Sequence, residues 1–193
     1  MLHERNFLIL SISRIFYRGM QIITATSQTV QTKERKTKMT FTQKETQLLN
    51  DLKSKEQLCI DKYNKYAVSA CDGELKNLFT QISQVESGHL NTINSLLAGN
   101  MPQSNGGSTP KPKASGKASY NGENASTSES FKNDRYLCSD ILDTEKHVSS
   151  VYDTCIFEFK DTSVRSLLNH IQKEEQEHGE EIYKYMAQNG MYN

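Results

Sequence analysis

"QKEEQEHGEEIY", residues 172–183, sets five glutamates around one histidine in twelve positions. Glu175 and His178 stand three residues apart, so on a helix they share one face. The same spacing occurs in "ESGH" at residues 86–89, which pairs Glu86 with His89. One such pair is a weak signal, because acidic helices produce it by chance. The meaning of this stretch depends on the phase of each pair relative to the apolar pattern around it.

Working outward, the apolar residues recur every three or four positions, the signature of amphipathic helices. Leu49, Leu52, Glu56, Cys59, Tyr63 and Ala67 form one stripe. Leu75, Leu78, Ile82, Glu86, His89, Ile93 and Leu96 form a second. In the C-terminal half the stripes are Leu137, Ile141, Glu145, Val148, Tyr152, Cys155 and Phe159, then Val164, Leu167, Ile171, Glu175, His178, Ile182 and Tyr185. Thr42 with Glu45 predicts a capping box at the first helix. Asp72–Gly73 punctuates a tight turn, and Asp161 is placed to cap the last helix. A shift of 89 residues superposes the halves, aligning Tyr63 with Tyr152, Asp72 with Asp161 and Ile82 with Ile171. The pattern predicts an all-α fold, a four-helix bundle made of two duplicated helical hairpins at residues 39–98 and 133–193.

Six residues on these core-facing stripes are not apolar: Glu56, Glu86, His89, Glu145, Glu175 and His178. A buried carboxylate needs a partner, since an unpaired buried charge is costly. Glu86 follows Glu56 by 30 residues, and Glu175 follows Glu145 by 30 residues. Two single glutamates and two E-x-x-H pairs are the ligand set of ferritin-like di-iron and di-manganese carboxylate bundles. Four carboxylates balance two divalent cations, and an oxygen-rich set with two imidazoles suits iron or manganese. The sequence therefore predicts two Fe or Mn ions as cofactors, against the plainer reading of a hydrogen-bonded polar core. Glu174, Glu177, Glu180 and Glu181 fall off the stripe and read as a solvated face, with Glu177 or Glu180 a minor aid to ion entry. His147 and His170 are out of phase with the candidate ligands. Tyr63 and Tyr152, seven residues beyond the single glutamates, read as core residues that can also hydrogen-bond a ligand carboxylate.

Composition narrows the function classes. Residues 1–38 hold seven Lys/Arg and two Asp/Glu, which leaves 16 Lys/Arg against 21 Asp/Glu in residues 39–193. The acidic main body argues against nucleic-acid binding, and no apolar run is long enough to span a bilayer. Cys59, Cys71, Cys138 and Cys155 form no C-x-x-C pair, which argues against a zinc ribbon or rubredoxin-like site. They read as buried free thiols on helices. Residues 1–38 form a basic extension with two readings, a membrane-touching amphipathic helix or sequence upstream of a true start at Met39. Residues 99–132 carry all three prolines with many Gly, Ser and Asn, and read as a flexible crossover linker. At about 3.3 Å per residue it easily spans a helix roughly 38 Å long. The same slack would let hairpins of two chains pair in trans as a swapped homodimer.

The segments "NDRYLCSDILDTEKHVSSVYDTCIFEFKDTSVRSLLNHIQKEEQEHGEEIYKYMAQNGMY" and "KEQLCIDKYNKYAVSACDGELKNLF" resemble the coat F family of spore coat proteins, itself similar to ferritin-like and rubrerythrin-like proteins. The resemblance implies a spore-forming bacterium, synthesis in the mother-cell cytoplasm, deposition in the spore coat and other coat proteins as partners. It leaves two function classes open. One is a structural coat component stiffened by metal. The other is a di-iron or di-manganese oxidoreductase acting as an oxidase or on peroxide or manganese. The missing C-x-x-C removes the electron relay of full-length rubrerythrins and places peroxide reduction in doubt.

Overall fold

The structure is a computed structural model that describes residues 38–102, 111–118, 120 and 128–192. Both readings of the N-terminal extension fall on residues 1–37, outside the described residues. Four helices account for the fold: α1 (Gln43–Ser69), α2 (Gly73–Leu97), α3 (Glu129–Glu158) and α4 (Thr162–Gln188).

Each helix begins where its sequence supplies an acceptor for the unpaired first-turn N–H groups. Thr42 and Glu45 form the expected capping box, the Thr42 N–H donating to Glu45 at 2.8 Å. Asp72 accepts from the Leu75 N–H at 3.0 Å, and Asp161 from Ser163 and Val164. The third helix starts earlier than residue 133, because Ser128 accepts from the Phe131 N–H and adds a turn that buries Phe131 and Asp134. At the end of α2, Gly99 adopts φ +76°, and a Cβ there would stand 2.9 Å from the Met39 carbonyl oxygen. On α4 the buried residue is Leu168; Leu167, placed on the stripe by sequence, is only partly buried. The offset is one position, within the width of a globular helix's apolar face.

The two hairpins share one core. α1 packs on α2 and α3 on α4, while α1 also lies against α3 and α2 touches α4. α1 and α3 are antiparallel: Lys44 at the start of α1 pairs with Glu158 at the end of α3, and the Ser69 carbonyl accepts from Asn133. The chain after α2 must therefore travel the length of the bundle to begin α3, a connectivity with one long crossover. Part of that crossover, read from sequence as a flexible tether, lies on the bundle. The N–H groups of Lys113, Ala114 and Ala118 donate to Gln81, Glu181 and Asn189. The Tyr120 ring packs edge-on against Phe131. Ala114, Ala118 and Tyr120 pack against the core, and side chains of α2, α4 and the α4 C-cap Asn189 accept from its backbone.

The duplication extends to how the turns are held. Asp134, fully buried, accepts from the Cys71 N–H at 2.8 Å and the Asp72 N–H at 2.9 Å, at the α1–α2 turn. Its counterpart in the first half, Glu45, accepts from the Lys160 N–H at 3.1 Å, at the α3–α4 turn. Each hairpin thus ties down the turn of the other. Asp134→Ala removes the acceptor of those N–H groups and of the Tyr120 hydroxyl. The expected loss is about 2–4 kcal/mol in urea unfolding; a loss under about 1 kcal/mol would show the bracket to be dispensable.

Candidate metal centre

Helical phase carries all six sequence-selected residues to one place. Glu56 comes from α1, Glu86 and His89 from α2, Glu145 from α3, and Glu175 and His178 from α4. None exceeds 3 % exposure. They form two overlapping sets, Glu56–Glu86–His89–Glu175 and Glu86–Glu145–Glu175–His178. Within each set the candidate ligand atoms lie within 4.8 Å of one another. Glu86 and Glu175 belong to both. The two imidazoles stack with centroids 5.7 Å apart.

Tyrosines hold the two single glutamates. The Tyr63 hydroxyl donates to Glu145 Oε1, and the Tyr152 hydroxyl donates to Glu56 Oε1. Each tyrosine therefore reaches across to the opposite hairpin, which realises the hydrogen-bonding role considered from sequence. The second oxygens of Glu56, Glu86 and Glu145, both oxygens of Glu175 and Nδ1 of His89 have no hydrogen-bond partner among the described residues. His89 Nδ1 lies 2.9 Å from Glu175 Oε1, but not in line for a hydrogen bond. A satisfied polar core would not orphan so many buried acceptors at one point, since each costs on the order of 1–3 kcal/mol.

Electrostatics record the same crowding. Burial, reinforced by neighbouring Glu86, pushes Glu56 up to about 7 and Glu175 up to about 8. Burial and the neighbouring Glu175 and Glu86 raise Glu145 well above its ordinary value. Burial also acts to raise Glu86, yet the hydrogen bond with His178 and the nearby His89 imidazole carry it below the usual carboxylate range. Burial acts to lower His89, but Glu174 and the surrounding carboxylates raise it well above a free imidazole.

Three sequence expectations need correction here. Glu174 is not simply solvated: its carboxylate lies 3.0 Å from His89 Nε2. It sits one residue off the stripe, and only the packing of α2 beside α4 brings it to His89, so no pattern within α4 marks it. Glu181 likewise is turned to the crossover, accepting from the Ala114 N–H at 2.9 Å. Among the cysteines, Cys59, Cys138 and Cys155 are buried, whereas Cys71 is exposed at the α1–α2 turn, where the helical stripe ends. His147 and His170 are exposed and outside the cluster, as their spacing implied.

A cavity of about 320 Å³ opens beside the cluster, roofed by Lys111, Pro112 and Lys113 of the crossover and reaching His178. No helix among the described residues is long and apolar enough to cross a membrane. Residues 133–193, the second hairpin, match the family model described as the Coat F domain. Neither a curated protein nor a solved structure gives a match.

Proposed function

We propose that this protein, whose second hairpin matches the Coat F domain model, is a spore coat component whose bundle holds two iron or manganese ions. The Coat F match supports the coat setting, with other coat proteins as partners. The observation that carries the metal reading is the convergence of six buried ligand-type side chains with their orphaned oxygens. Glu86 and Glu175, common to both sets, would be shared by the two ions. Glu56 with His89 would complete one position, and Glu145 with His178 the other. When bound, the ions would neutralise four carboxylates and supply a redox-active or Lewis-acidic pair.

The chain's own residues prepare this site. Tyr63 and Tyr152 each engage one oxygen of a single glutamate and leave the other free. Glu174 accepts a hydrogen bond from the His89 Nε2–H, leaving Nδ1 to face Glu175, Glu86 and Glu56. Burial pushes the Cys59 thiol far up, and the adjacent glutamates add to that, so it offers no competing thiolate. Folding around metal stabilises the bundle because the unfolded chain has no such site.

The test is direct. Metal-stripped full-length protein, titrated anaerobically with iron(II) or with manganese(II) and then desalted, should retain about two ions per chain by elemental analysis. Failure to retain stoichiometric metal would remove this reading and leave a bundle serving only as coat material. Tyr63→Phe or Tyr152→Phe should weaken metal binding by about 10–100-fold, the usual scale for losing such a supporting hydrogen bond. Unchanged affinity would make these tyrosines plain core residues.

A second reading, a di-metal oxidoreductase, is favoured by the cavity reaching His178, since a purely structural metal site is normally closed. Sustained oxygen or peroxide consumption by loaded protein with an added reductant would advance it; single-turnover behaviour would return the balance to a structural role.

A further inference from the structure

We propose that the two metal positions are functionally unequal: the Glu56–His89 position is locked, and the Glu145–His178 position is the one through which metal enters and leaves. This rests on the dinuclear reading above and goes beyond it.

The argument starts from the duplication. The 89-residue shift carries Glu56 onto Glu145, Glu86 onto Glu175, His89 onto His178 and Tyr63 onto Tyr152. The structure honours that symmetry in its hydrogen bonds, each tyrosine serving the other half's glutamate. It breaks behind the histidines, at Nε2. Glu174, which supports His89 through Nε2 at 3.0 Å, corresponds under the same shift to Val85. Valine has no polar atom, so His178 receives no matching support. A histidine whose second nitrogen is held by a carboxylate is fixed in tautomer and ring orientation and is the stronger ligand.

The cavity breaks the symmetry in the same direction. Its wall includes His178 and Val85 but neither His89 nor Glu56. At about 320 Å³ it is roomy for hydrated ions, since one water occupies roughly 30 Å³ in the liquid. Four glutamates on that wall outnumber three lysines, which favours a cation as the passing species. Glu174 belongs to the wall as well, with its carboxylate turned to His89 across the boundary of the site. One position is therefore buttressed and lies behind the cavity wall, and the other lacks support at Nε2 and lies on that wall.

The experiment uses full-length protein loaded with manganese(II), mixed with excess EDTA and sampled over time for retained metal. Two phases are expected, each releasing one ion per chain, with rates differing by about tenfold or more. Glu174→Val removes the only supporting carboxylate, so the slow phase should accelerate toward the fast one. Glu174→Gln keeps an acceptor for the His89 Nε2–H and should restore most of the difference. Val85→Glu supplies the missing carboxylate and should slow the fast phase. In His178→Ala the retained ion should leave slowly, and in His89→Ala it should leave fast. A single phase that releases both ions and is unmoved by Glu174→Val would overturn the inference while leaving the dinuclear reading intact. Absence of stoichiometric metal in the wild-type chain would instead overturn the dinuclear reading itself.

Discussion

Replacing Glu86 or Glu175 by Ala should abolish stoichiometric metal retention at both positions, whereas Glu56→Ala or Glu145→Ala should each leave about one ion per chain. The difference follows from set membership. Glu86 and Glu175 each stand in both ligand clusters, while Glu56 and Glu145 each stand in one. Loss of a shared carboxylate removes a donor from both sets and half of the negative charge that holds the two sites together. Removing the Glu175 charge should act oppositely on the metal-free chain. Glu175 is fully buried and neither of its oxygens has a hydrogen-bond partner, so Glu175→Gln should make metal-free protein more stable. A residue whose removal stabilises the empty fold and destroys binding is present for the ligand. Two ions retained by Glu86→Ala would refute the shared role.

Metal-free and metal-loaded protein should respond to pH with opposite slopes. In the metal-free chain, Glu56 and Glu175 rise from an ordinary 4.5 to about 7 and about 8. A carboxylate with a raised folded-state value favours folding fully below its unfolded value, and that contribution disappears as pH rises through the folded value. The window is therefore about pH 4.5 to 8, and stability should fall steadily across it. His89, also raised, loses stabilisation in the same direction above the ordinary imidazole range. Glu86, lowered, contributes a term already complete above 4.5 and constant across this window. Metal binding competes with these protons, so loaded protein should gain stability over the same interval. Thermal melts at pH 5 and pH 8, with and without metal, read both slopes. Parallel slopes would mean that protons and metal do not share these side chains.

Much of this architecture was legible before the fold was known, because helical phase is a local property. Glu56 and Glu145 sit on apolar stripes whose period alone places them inward, and the capping residues Thr42, Asp72 and Asp161 act within their own turns. What the pattern could not carry was contact between elements. Asp134 binds a turn more than sixty residues away, and Glu174 reaches His89 only because α2 and α4 are neighbours. The contacts of the crossover's described residues escape the pattern for a related reason. The crossover's composition correctly indicates that it cannot build a core, but the acceptors that hold residues 113–118 belong to α2, α4 and the α4 C-cap Asn189. Cys71, read with the other cysteines as a buried helical thiol, lies past Ser69, where the helix has already ended.

Anomalous diffraction from crystals of the full-length chain grown with iron(II) or manganese(II), collected at each metal's absorption edge, tests the central claim most directly. The account expects two peaks among Glu56, Glu86, His89, Glu145, Glu175 and His178, each within bonding reach of both Glu86 and Glu175. A bundle that crystallises from metal-rich solution with no anomalous peak between those side chains would contradict it.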